Sequence, residues 1–173
     1  MKYRNALLFF IIGFLLQSTS FLNFSIIGTT PNFILCLTVL FSFLYKGYQG
    51  IIFGIIFGLL QDIGFSILIG PSALIYFLIA LIMGEVRHYL HRDSILNIFF
   101  ASVIGTILYY VSSWSILMVF KGNYSFLYMA RNLPTLLAAH FILMVVFYLI
   151  VGKRSIRYPK DRFYGSTKLY RIN

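Results

Sequence analysis

Apolar residues fill the chain in long blocks, parted by short clusters of glycine, proline and polar residues. Blocks near the ~20 residues needed to cross a ~30 Å hydrocarbon core predict membrane-spanning helices. Six are expected, over about 6–24, 31–45, 50–63, 72–85, 95–120 and 133–152. Within the first, Gln17, Ser18, Thr19, Ser20 and Asn23 gather in the second half. Such side chains are costly against lipid, so that half is expected to face protein. Thr30 and Pro31 stand where a helix cap and a first helical residue belong, which starts the second block there. That block is short for a bilayer and gains reach only if Lys46 snorkels and Tyr48 anchors at the headgroups.

The third block carries the most regular pattern. Gly50, Gly54 and Gly58 recur every four residues, and Asp62 follows at the same step after Gln61. At 3.6 residues per turn these positions form one slowly drifting stripe. A glycine stripe suits the close approach of another helix backbone, so Asp62 is expected in a packed protein interface rather than in lipid. Gly64, Ser66, Gly70 and Pro71 then break the helix. The apolar but irregular segment 63–71 is expected to lie against protein or at the outer interface. Ala73, Ala80 and Gly84 in the fourth block, and Ala101 and Gly105 in the fifth, put further small residues on packing faces. Tyr109, Tyr110 and Trp114 are candidate interface anchors. Lys121 to Asn132 reads as a polar connection before a sixth span that opens at Leu133-Pro134.

Composition agrees with this pattern. The 173 residues are 60% hydrophobic, 19% aromatic and only 10% charged, against the ~25% charged of an ordinary soluble domain. The sequence therefore divides into a six-span transmembrane domain, 1–152, and a basic tail, 153–173. The first block reads as a retained span, since its apolar run is long and has no small-residue cleavage pattern. The single cysteine, Cys36, allows no disulfide within the chain and reads as a small buried filler.

Charge sets the orientation. With six spans and both termini on one side, that side holds twelve Lys and Arg and the other only Lys121 and Arg131. Positive residues are retained in the cytoplasm, so both termini are expected there. The tail, with seven basic residues against Asp161 alone, suits anionic membrane lipid better than nucleic acid.

Little in the chain suggests catalysis or a metal. Ser112, Ser113 and Ser115 lack an adjacent histidine and acid. Glu85, His88 and His91 fall at intervals of three but want further ligands from other helices. His140, inside the sixth span, could shuttle a proton, although a lone histidine bonded to a neighbouring helix is the commoner arrangement. Asp62 is by position a functional candidate, as proton relay, ion ligand or polar anchor, with no second buried acid or lysine beside it. No enzyme activity and no cofactor are expected.

Leu16-Gln17-Ser18-Thr19, Pro31-Asn32-Phe33, Gly58-Leu59-Leu60-Gln61-Asp62 and Gly70 to Leu74 together resemble the MreD family of bacterial rod shape-determining proteins. The likeness covers most of 6–92; the later spans match only in hydropathy, and Asn32 stands where the family often has an acid. The resemblance implies an all-α polytopic protein of the bacterial cytoplasmic (inner) membrane, a compact bundle of six transmembrane helices similar in architecture to the substrate-binding subunits of energy-coupling-factor transporters. It also implies a non-enzymatic subunit of the cell-elongation and peptidoglycan-synthesis machinery. The implied partners are MreC and, through the complex, MreB, RodA and a penicillin-binding transpeptidase. Gly50, Gly54, Gly58, Gln61, Asp62, Gln17, Pro31 and Asn32 are the expected helix-packing or partner contacts. The alternative is a vitamin-binding membrane subunit of an energy-coupling-factor transporter, with a polar and aromatic pocket near the outer face.

Overall fold

The computed structural model describes residues 3–23, 30–45, 47–66, 68–90, 94–121 and 126–155. Among them are six α-helices: α1 (Tyr3–Asn23), α2 (Phe33–Leu44), α3 (Gln49–Phe65), α4 (Pro71–Tyr89), α5 (Ile95–Lys121) and α6 (Phe126–Ser155). Three of these helical stretches, Pro71–Tyr89, Ile95–Ile116 and Arg131–Val151, are long and apolar enough to cross a membrane; Tyr3–Ser18, α2 and α3 are shorter apolar helices. The basic tail from residue 156, Lys46, and the His91, Arg92 and Asp93 cluster lie outside the described residues.

The molecule is organised around α2, not around the glycine-bearing α3. α2 touches every other helix, and the rest follow one another around it in the order α1, α3, α4, α5, α6. Among the described residues α1 and α6 do not come into contact. Every α2 residue from Ile34 to Leu44 is buried. At 12 residues the helix is roughly 18 Å long, too short for the ~30 Å hydrocarbon core. Its backbone ends must therefore be satisfied inside the protein. At the C-terminal end the Arg87 guanidinium of α4 donates to the Tyr45 carbonyl, placing a cation at the negative end of the helix dipole. Tyr48, read above as a headgroup anchor, is exposed and caps α3.

Apolar side chains are as well solvated by lipid tails as by one another, so close packing and internal hydrogen bonds must hold such helices together. The glycines provide the first. A Cβ at Gly50 would meet the Ser42 backbone nitrogen at 2.8 Å, and one at Gly54 would meet Thr38 Cγ2 at 3.0 Å, both on α2. At Gly58 it would meet the Ala73 backbone of α4. Gly105 of α5 lies against Val39. The stripe is thus occupied by helices of the same chain. Gly84 differs from the packing role expected of it, since nothing lies within 4 Å of its Cβ position. Aromatic rings complete the inner layer: Phe10 of α1 lies 5.5 Å from Phe41, 5.4 Å from Phe53 and 5.5 Å from Phe57.

Three boundaries differ from the sequence pattern. α3 continues past Ile63 to Phe65, because Gly64 weakens a helix without stopping it. The N-cap of α2 is Asn32, not Thr30. Pro134 lies inside α6, which begins at Phe126 within the stretch expected to be a connection.

Candidate functional site

The N-terminal end of α2 sits beneath a space that the surrounding helices line and that reaches exposed Thr30. The end is capped by three side chains from three helices. Gln17 of α1 accepts from the Ile34 N–H at 3.0 Å through Oε1. Asn32 Oδ1 accepts from the Leu35 N–H at 2.9 Å, the ordinary N-cap bond. His140 of α6 accepts from the Asn32 N–H at 3.0 Å through Nε2. A backbone N–H can only donate, so Nε2 is the bare nitrogen and the neutral ring carries its proton on Nδ1. That proton points to Thr106 Oγ1 of α5, 3.0 Å away. His140 thereby ties three helices together with both ring nitrogens engaged.

Asn32 extends the cluster to the other side. Its Nδ2 donates to the Tyr76 hydroxyl of α4 at 2.5 Å, and that hydroxyl donates to Gln61 Oε1 of α3 at 2.7 Å. Tyr76 is fully buried. Its ring is stacked with Tyr109 of α5, the centroids 6.2 Å apart. Tyr109 thus faces the interior rather than serving as a headgroup anchor. In a low-dielectric interior such a chain is strong when each member is paired and costly when one is removed.

Asp62 lies one residue on, 1% exposed. Its Oδ2 accepts from the Gly70 and Ser72 N–H groups, each at 2.9 Å. A carboxylate at a helix N-terminus satisfies open N–H groups and complements the helix dipole. Here it also pins the link between α3 and α4, where Gly70 turns at φ 114°, a left-handed conformation that favours glycine. Asp62→Ala is expected to lower stability by about 3 kcal/mol, since it strands two N–H groups that bond a charged acceptor. Asp62→Asn, which keeps an amide oxygen as acceptor, is expected to lose about 1 kcal/mol. Thermal unfolding of the purified variants in detergent measures both.

Among the sequence-selected residues, Gln17, Asn32, Pro31 and Gln61 line one cavity of about 60 Å³, together with Tyr109 and His140. Asp62 and the three glycines stand outside its lining. Tyr76 and Thr106 were not singled out by the sequence, because a tyrosine or threonine in an apolar run gives no pattern of its own. Among the described residues no three His, Cys, Asp or Glu side chains gather as metal ligands. Ser115 bonds the Val111 carbonyl of its own helix at 2.8 Å, a local use of its hydroxyl.

No curated protein and no solved structure matches the chain. A family model described as rod shape-determining protein MreD matches residues 3–154, a range that takes in all of α1 to α5 and nearly all of α6. The apolar helices and this match make it a membrane protein. The chain belongs to the MreD family of rod shape-determining proteins.

Proposed function

We propose that the chain is a non-enzymatic membrane subunit of the bacterial cell-elongation complex, which builds peptidoglycan in rod-shaped cells. The observation that carries this reading is the family match over residues 3–154. In this reading all six helices lie in the cytoplasmic membrane, with both termini in the cytoplasm. The excess of Lys and Arg on one side supports that orientation. The subunit binds the transmembrane helix of MreC by helix packing and through it joins MreB, RodA and the penicillin-binding transpeptidase. Its basic tail lies on anionic lipid.

The internal packing bears on how a partner would be met. Gly50, Gly54 and Gly58 are filled by α2 and α4, and Gln17, Asn32 and Gln61 cap or bridge helices of the same chain. A partner helix then has the outward apolar faces to pack on, with residues such as Leu8, Ile12 and Leu15 of α1 exposed. The six-helix architecture in this proposal is similar to that of transporter substrate-binding subunits. A vitamin, however, calls for a pocket of ~300 Å³ or more, and the cavity that Gln17, Asn32 and Gln61 line is smaller than that, at about 60 Å³.

Affinity purification in mild detergent, with mass spectrometry of what comes with it, tests the proposal. MreC is the expected co-purifying protein. Recovery with a transporter's ATP-hydrolysing and coupling subunits, and without MreC, would replace the reading with the transporter one.

A further inference from the structure

The polar wall of the axial cavity is unevenly used. The amide oxygens of Gln17 and Gln61 are taken by the Ile34 N–H and the Tyr76 hydroxyl. Their amide nitrogens pair with nothing among the described residues, although the two side chains are only 1% and 7% exposed. Two carboxamides thus bring four N–H donors to one small space. Both residues line the cavity, and polar groups inside a protein are satisfied by protein or by ordered water, so whatever sits there accepts hydrogen bonds. The dipole of α2 acts in the same direction, because its N-terminal end favours electron-rich atoms. No Lys, Arg, Asp or Glu lines the cavity among the described residues, so nothing there offsets a guest's charge and the guest is neutral. At about 60 Å³ the space exceeds the ~10–15 Å³ one water requires. Thr30, exposed and on the cavity wall, puts its mouth at the protein surface.

We infer that this cavity is a hydration site, holding a small cluster of ordered waters that accept from the Gln17 and Gln61 amides above the N-terminal end of α2. The cluster satisfies the two carboxamides that cap and bridge the central helix, and it brings water to His140 in the middle of an apolar bundle. The site is a property of the chain itself and does not depend on which partner the protein binds.

X-ray radiolytic footprinting of the full chain in lipid nanodiscs tests this, because hydroxyl radicals form where water is held. His140 and Leu136, both buried and on the cavity wall, are expected to be oxidised several-fold faster than buried Phe41, after correction for intrinsic reactivity. Cys36 and Met144 are equally buried and more reactive by type, but they are not among the lining residues. They are expected to stay protected. Labelling of His140 and Leu136 no faster than Phe41 would overturn the inference by showing a dry cavity. Labelling of Cys36 and Met144 alongside them would overturn it too, by showing that the whole core opens.

Discussion

Gly58→Leu is expected to leave no folded protein to purify, whether or not any partner is co-expressed. A Cβ at this position would stand 2.7 Å from Ala73 Cα, 2.9 Å from Ala73 N and 2.9 Å from Tyr76 Cδ2. Two of these atoms are backbone and cannot turn aside as a side-chain tip can. The third belongs to the ring whose hydroxyl bridges Asn32 and Gln61. Leucine adds three more carbons in the same direction, so the cost exceeds the ~1–3 kcal/mol usual for overpacking. Gly84→Ala is the control: it sits in a helix with open space around it and is expected to gain up to about 1 kcal/mol from helix propensity. Size-exclusion profiles in detergent, followed by thermal unfolding, separate the two. A well-folded Gly58→Leu protein that merely failed to bind MreC would show instead that the stripe is a docking face and that α4 does not fill it at Gly58.

Asn32→Ala is expected to lose about 2 kcal/mol. The change removes the N-cap acceptor for the Leu35 N–H, worth ~1 kcal/mol. It also removes the donor to the Tyr76 hydroxyl, a neutral buried bond worth about 0.5–1.5 kcal/mol. The backbone bond from Asn32 N–H to His140 remains available to either variant. Asn32→Asp keeps an acceptor for the cap and gains from the helix dipole, while the Tyr76 hydroxyl can turn to donate to it in exchange for its bond to Gln61 Oε1. Its loss is expected to be smaller than that of alanine. Thermal melts of the two variants beside wild type decide the order. An alanine variant as stable as wild type would mean that the cluster does not hold α2 in place.

Much of the helical layout can be read from the chain alone. The apolar blocks are long, and their interruptions at Gly28 to Asn32, Lys46 to Gln49, Gly64 to Pro71 and around Arg92 and Asp93 are made of residues with local reasons to break a helix. The four-residue spacing of Gly50, Gly54 and Gly58 likewise marks a face for close packing whatever packs there. Where reading failed locally, the signal was weak for a physical reason. Pro134 is accommodated within α6, as membrane helices permit when freed backbone groups find other partners.

The tertiary structure decided how these parts are used. Periodicity assigns a face to a helix but not a neighbour to the face, because every apolar block looks alike to every other in a medium where lipid solvates them equally. That α2 is the central element follows from its contacts with all five other helices. Its shortness alone suggested only a thin span. Asn32, Tyr76, Thr106 and His140 are far apart in sequence and meet only because α2 ends early inside the ring. Hydrogen bonds across such distances leave no spacing to recognise. The glycine stripe with its carboxylate was visible in the sequence as a place of close approach; that α2 and α4 fill the stripe, and that Asp62 caps α4, took the folded chain to decide.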